Sequence, residues 1–453
     1  MRIWLLSLGL LMSLWLLLSI PFPAQAQVAP EATGGGNQDE PMQMTPLETG
    51  TPYATGTGWE SRSNFLNGSI GFTPAYNDNL YPGQASAPIS EMSYSITPKI
   101  VFNQTASRLQ QTFSYSPAFT IYAQTSGLNK LDHSASANYD YRWTPHVTVT
   151  ALDTFQKTSN VFNQAGSLES GSVSGSIPVS PADVIAPWID RLSNAVTGDL
   201  GYQFSANGMI GGGGGSNLMR IPNYGSSGNY DSNGQVASAF FNRRLTLAQT
   251  AGITYQYTRN VTTYAAGTTF EVQLYGVMPF YSFATGEHFS ASIAAGPQYY
   301  TETVTSSVTP VPTANAWTPV VTASFGWQVE RSSVAASLSR TVNGGGGLLG
   351  AYIRESANLH LRHQFARTWT IDVGGDYGNY KNSAPQSLLT YPGGHTINGE
   401  FSLDHPIGEH LHSTIGYQRM HRTYSGSTAL TVDPDADRAY ITVSYQFSRP
   451  IGR

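Results

Sequence analysis

The feature that most constrains this chain is an alternation of side chains with a period of two, repeated from about Ser63 to the C-terminus. In Leu109–Tyr122 one face carries Leu109, Phe113, Tyr115, Phe119 and Ile121, and the other Gln110, Thr112, Ser114, Ser116 and Thr120. Ser134–Trp143 separates Ala135, Ala137, Tyr139, Tyr141 and Trp143 from Ser134, Ser136, Asn138, Asp140 and Arg142. Leu245–Thr258, Asn358–Phe365, Trp369–Tyr377 and Ala439–Phe447 repeat the pattern. Successive side chains of a strand point to opposite faces, so these segments predict strands with one apolar and one polar face. A half-buried sandwich strand alternates too. Repetition along the whole chain argues for a barrel, and so does the polar face, which carries mostly hydroxyls and amides rather than the Lys and Glu of a soluble surface. Charged residues make up only 11% of the chain, against ~25% in an ordinary soluble domain. With 26 Tyr, 19 Phe and 8 Trp and a mean hydropathy of -0.22, this composition suits a sheet with lipid on one side and water on the other.

The connections predict the strand count. Short turns at His405–Glu409, Phe365–Thr368, Glu330–Ser333, Ala284–His288 and Asn242–Leu245 alternate with longer segments such as Tyr424–Arg438, Lys381–His395, Asn343–Gly350 and Thr303–Ala316. Continued to the N-terminal end, the alternation gives about 18 strands. If the run Gly211–Gly215 inside the candidate strand Met209–Arg220 is loop, a neighbouring strand goes with it and 16 remain. Both counts are even, as bacterial single-chain barrels require. The predicted fold is all-β: a closed antiparallel transmembrane β-barrel with short periplasmic turns and long external loops. The expected location is the outer membrane of a Gram-negative bacterium, with both barrel termini periplasmic.

Arg2, the apolar run Ile3–Ile20, Pro21 and Pro23, and Ala24-Gln25-Ala26 read as a signal peptide over 1–26. Residues 27–60 are rich in Pro, Gly, Thr and acidic or amide residues. They are expected to form a disordered periplasmic segment, too short for a plug domain. The barrel is assigned 61–453. No later segment approaches the ~18 continuous apolar residues of a transmembrane helix. The longest loop, Asn160–Ser193, holds a helix start at Ser180, Pro181 and Asp183 that Pro187 keeps short. It reads either as a loop folded into the pore or as a helix on the external rim.

The formal net charge is -5 and no basic stretch marks a nucleic-acid footprint. The absence of cysteine excludes disulfides, thiolate zinc sites, cysteine catalysis and a lipidated N-terminal Cys. Asp433, Asp435 and Asp437 read as a calcium site or, preferably, a solvated turn around Pro434. The glycine runs Gly211–Gly215 and Gly344–Gly347 lack the Lys-Ser/Thr of a phosphate loop, and there is no Gly-x-Ser-x-Gly elbow. No catalytic, metal or cofactor residues are assigned, and no enzymatic activity is expected. The candidate pore-lining residues are Asp140, Arg142, His360, Arg362, Asp372 and Asp376. The last strand ends in the aromatic pair Tyr445 and Phe447, which looks like the signal read by the barrel-insertion machinery. Ser448–Arg453 follows it, whereas many porins stop at the Phe. The expected partners are outer-membrane lipid, lipopolysaccharide and that machinery.

Tyr76-Asn77-Asp78-Asn79-Leu80-Tyr81, Phe113–Phe119, Asp132-His133, Tyr141-Arg142-Trp143-Thr144-Pro145 and Tyr445–Arg453 together resemble the beta-barrel porin 2 family, which is associated with exopolysaccharide production and export loci. The likeness spans roughly Phe65 to the C-terminus in short motifs. It implies passage of, or association with, a secreted glycan, and it carries no catalytic residue over. Three functions are therefore expected to compete: a channel or export porin with a wet lumen, a structural or adhesive barrel acting through its loops, and a plugged transporter of hydrophobic compounds.

Overall fold

A computed structural model describes residues 64–80, 88–159, 190–221, 231–263, 269–285, 288–305, 313–345, 348–382, 393–424 and 435–450. The segments assigned as signal peptide and disordered leader, and most of the loop Asn160–Ser193, lie outside these residues. The described chain forms one sheet of 18 strands. They are β1 (Phe65–Asn77), β2 (Glu91–Thr105), β3 (Leu109–Tyr122), β4 (Lys130–Thr144), β5 (Val147–Thr158), β6 (Arg191–Ser205), β7 (Gly208–Arg220), β8 (Asp231–Thr246) and β9 (Gln249–Thr263). The second half comprises β10 (Thr269–Thr285), β11 (Phe289–Thr305), β12 (Ala314–Val329), β13 (Ser332–Gly345), β14 (Leu348–Gln364), β15 (Thr370–Asn382), β16 (Gly394–Ile407), β17 (Leu411–Tyr424) and β18 (Asp435–Pro450). Each pairs antiparallel with the next, and β1 pairs with β18 from Phe65↔Pro450 to Asn77↔Arg438, which closes the barrel.

The alternation sets the two faces. Ile70, Phe72, Ile121, Ile253, Ile293 and Ile441 stand on the outer face, each at least 45% exposed. Their alternate neighbours point inward. Outward aromatics form cross-strand rows at both ends of this apolar belt. At the long-loop end Tyr257, Tyr275, Tyr299 and Trp317 occupy paired positions, with successive ring centroids 5.1, 6.3 and 5.1 Å apart. At the short-turn end Phe283, Phe289 and Phe325 follow one another at 5.8 and 5.5 Å. On β12, Trp317 and Trp327 bracket a belt that at ~3.3 Å per residue and ~40° tilt is roughly 25 Å high, the thickness of an outer-membrane apolar band.

The glycine run lies within β7, and the count is 18 rather than 16. Neighbouring side chains explain why glycine serves there. A Cβ on Gly211 would strike the Phe240 ring, and one on Gly213 would strike the Asp199 carboxylate. The bare strand is the bed on which those two side chains lie.

Asn343–Gly350, expected as a longer loop, departs from the sequence reading. β13 continues to Gly345 and β14 begins at Leu348. The strands run on because Val342 and Ala351, near their paired ends, have a surface to pack on inside the barrel.

Candidate functional site

The inner wall carries three chemically different kinds of surface. Along β2–β4, β11–β14 and the β1–β18 seam, inward hydroxyls satisfy one another: Ser114 with Ser136 at 2.7 Å, Ser95 with Thr120 at 2.9 Å, Ser292 with Ser324 at 2.8 Å and Thr73 with Thr442 at 2.8 Å. Such cross-strand pairs are the sheet's natural unit, and they make these stretches of the wall polar, with hydroxyls outnumbering charges.

Charges gather on β14–β18. Of the six lining candidates, four meet there and all six occupy inward positions. Arg362 faces Asp372 in the β14–β15 register, with Nε 3.9 Å from Oδ1, and His360 Nε2 lies 3.7 Å from the same oxygen. Asp376 accepts from Asn398 Nδ2 at 2.6 Å. Asp140 and Arg142 sit apart from this group on β4, where Asn138 donates to Asp140 at 3.3 Å. The sequence reading left out Arg354, Glu400, Asp404, Arg422 and Arg438, although the same parity places them inward. Arg354 and Arg438 lie against the wall, their guanidinium carbons 5.9 and 5.5 Å from the ring centres of Tyr380 and Tyr440. The Tyr440 hydroxyl donates to Glu400 at 2.9 Å, and its ring passes over Gly416 of the strand between them.

A patch of the neighbouring wall is apolar and covered. On β10–β12 the inward positions hold Val272, Leu274, Tyr300, Met278, Ala294 and Val320, each no more than 3% exposed. Apolar side chains facing a wet lumen would be unfavourable, so something must shield them. The shield over the first three is the joined end of β13 and β14. The β12–β13 ladder stops at Val321↔Arg340, whereas β13 keeps its pairing with β14 up to Gly345↔Leu348. Beyond Arg340 the hairpin leaves the wall and lies inside the barrel. Val342 and Ala351 join Val272, Leu274 and Tyr300 in one cluster, with Ile353 and Ala316 against it. Two wall side chains take backbone N–H groups of the hairpin: Val342 donates to Gln298 Oε1 at 3.2 Å and Ala351 to Glu302 Oε2 at 3.3 Å. Gly350 has φ 77°, a conformation suited to glycine, and a Cβ there would stand 2.5 Å from Glu302 Oε1. The lumen is therefore narrowed by a strand hairpin, and the helix-bearing loop at Asn160–Ser193 lies outside the described residues but for its last four.

Tyr445 and Phe447 face outward at the short-turn end of β18, paired with Ile70 and Gly68 of β1. Asp435 and Asp437 also face outward and lie 3.5 and 3.6 Å from Arg419, and Asp435 lies 2.8 Å from His421. Both carboxylates have cationic partners, Asp433 and Pro434 of the same expected cluster lie outside the described residues, and among the described residues no cluster suited to a metal ion occurs.

No family model matches the chain, and no curated protein matches it. Among solved structures it is similar to the outer membrane protein OpdK from Pseudomonas aeruginosa, at 9% identity and TM-score 0.39 over 85% of this chain and 99% of that one. It is likewise similar to Pseudomonas aeruginosa OccK2 (OpdF) in complex with glucuronate, at 10% identity and TM-score 0.42 over 85% and 100%. A third is the ferric citrate transporter FecA in the unliganded form, at 8% identity and TM-score 0.43 over 85% and 79%. Likenesses this distant carry no argument about what this chain does.

Proposed function

We propose that the protein is an outer-membrane channel for hydrophilic solutes, with the short turns in the periplasm. The observation that carries the reading is the inner arc of β14–β18, where Arg362, Asp372, Asp376 and Glu400 point inward, away from the apolar belt. Ionisable groups in a membrane-spanning protein are expensive unless they face water, and barrels of 16–18 strands are wide enough for an aqueous lumen. The neutral hydroxyl pairs elsewhere on the inner wall offer exchangeable hydrogen bonds without trapping charge, which suits a sugar chain. Passage of a secreted glycan, implied by the family resemblance, is the finer form of this proposal. Tyr445 and Phe447 serve on this reading as the insertion signal.

The test is a planar-bilayer recording from refolded protein with neutral oligosaccharides added to either side. The proposal expects steady conductance with sugar-dependent blocking. Folded protein that conducts nothing in any state of the hairpin contradicts it.

A further inference from the structure

Two strand edges run free of each other at the long-loop end. β12 continues from Val320 to Ala314 paired only with β11, and β13 continues from Thr341 to Gly345 paired only with β14. Extending the register that ends at Val321↔Arg340 would set Thr341 against Val320, Asn343 against Thr318 and Gly344 against Trp317. In that register the hairpin end has the alternation of a wall strand. Val342 falls on the face of Leu338, which is 61% exposed on the outer surface. Thr341 and Asn343 fall on the face of Ser339, whose hydroxyl bonds Ser356 at 2.6 Å on the inner wall. The same apolar face, Val342 and Ile353, therefore fits two hosts: the lipid belt, or the inner cluster of Val272, Leu274 and Tyr300 that it occupies here.

We infer that the ends of β13 and β14, Thr341–Gly345 and Leu348–Tyr352, form a gate with two seats. In the observed seat they line the lumen, pinned by Gln298 and Glu302. In the other, β13 zips onto the free edge of β12, completes the wall and widens the lumen. Leaving the inner seat gives up two side-chain hydrogen bonds and bares Val272, Leu274 and Tyr300 to water. Zipping adds ladder bonds and places Val342 and Ile353 in lipid. Pro319, opposite Val342 in the extended register, has no N–H to give and weakens the second seat. Losses and gains of the same kind on both sides are what a two-state element requires. The inference takes from the channel reading only its consequence, a change in conductance; the movement stands or falls without it.

The chain has no cysteine, so introduced pairs report cleanly. The pair Val272→Cys with Gly344→Cys tests the inner seat: a Cβ on Gly344 would stand 2.7 Å from the Val272 Cβ, and a small outward shift brings it to the ~3.5–4.5 Å of a disulfide. The pair Thr318→Cys with Asn343→Cys tests the zipped seat. With mild oxidant in micelles the first pair is expected to close readily and the second more slowly. Adding Glu302→Ala should accelerate the second several-fold. A zipped pair that stays reduced with and without Glu302→Ala, while the inner pair oxidises fully, overturns the gate. In bilayers the zipped-locked form should conduct more than the inner-locked form, with the difference abolished by reductant. Equal, measurable conductance of the two locked forms overturns the gate and leaves the channel standing. Two formed crosslinks with no conductance in either support the movement and overturn the channel.

Discussion

Val321 faces Arg340 in the last rung between β12 and β13, and beyond that rung the two strands part. Arg340 lies on the outer face, 3.6 Å from Glu355, and Lys381 lies 3.0 Å from the same carboxylate. These contacts tie β13, β14 and β15 together where β13 leaves β12. Exposed ion pairs contribute little stability, so they position the departure more than they strengthen it. The described strands are laced by hydrogen bonds around the barrel, and here the ends of β13 and β14 overlap β10 and β11, seated on apolar side chains.

A charge placed under the hairpin should unseat it. Val272→Asp sets a carboxylate against Val342 and Leu274 in the inner seat but faces water once the hairpin has gone. The expected outcome is higher mean conductance from protein that keeps its heat-modifiable gel mobility. Val342→Asp is expected to behave differently, because its side chain meets either the cluster or the lipid. A charge facing lipid close to the interface costs up to ~1 kcal/mol, so this variant should lose stability and gain no conductance.

Tyr440 and Gly416 test how the inner wall is packed. Gly416→Ala puts a Cβ into the Tyr440 ring and should lift the hydroxyl off Glu400. A loss of about 1–3 kcal/mol in urea-induced unfolding from micelles is expected. Tyr440→Phe removes the hydrogen bond alone and should cost about 1 kcal/mol. Gly399→Ala, where an added Cβ meets nothing within 4 Å, should leave stability unchanged.

Much of this was legible in the residues. The split of Leu109–Tyr122 into Phe119 and Ile121 on one face and Ser114 and Ser116 on the other is the split that the barrel uses. β7 was less so, because five glycines have no strand propensity and an even count stands with or without that strand and its neighbour; the Phe240 and Asp199 side chains supply the reason for it. Arg354 and Glu400 obey the same parity as His360 and Asp372 and were passed over only because alternation does not rank one inward charge above another. The infolded hairpin had no signature at all. Thr341-Val342-Asn343 alternates as any wall strand does, and which host receives Val342 depends on Val272, Leu274 and Tyr300, roughly 40–70 residues earlier in the chain.

Ion selectivity should follow the charges of β14 and β15. Asp372→Asn removes a carboxylate that faces Arg362 and His360, and the balance should shift toward anions. Arg362→Gln should shift it toward cations. Both shifts should be modest and should shrink at high salt, since screening over ~8–10 Å blunts a lumen charge. Reversal potentials across a salt gradient measure the sign directly.

Asp78, just past the end of β1, offers a pH test at the closing seam. Burial raises its pKa and the Asp437 carboxylate adds to the rise, while the Asp437 N–H, donating at 2.6 Å, opposes it. A carboxyl raised in the folded state costs stability while ionised. That cost is fully present above the folded pKa and vanishes below the unfolded value near ~4. Asp78→Asn keeps an acceptor for the N–H, so it should be slightly more stable than the parent at pH 7 and equal to it below pH ~4, as read by thermal unfolding at the two pH values.

The most direct test of the central claim is the single-channel conductance of folded protein with the hairpin locked on β12 through Thr318→Cys and Asn343→Cys. A barrel with a polar, charged lumen should then give large, steady, ohmic openings that added oligosaccharide interrupts. Correctly folded, crosslinked protein that passes no current would mean that the lumen is filled by something other than this hairpin, and the protein would not be a channel.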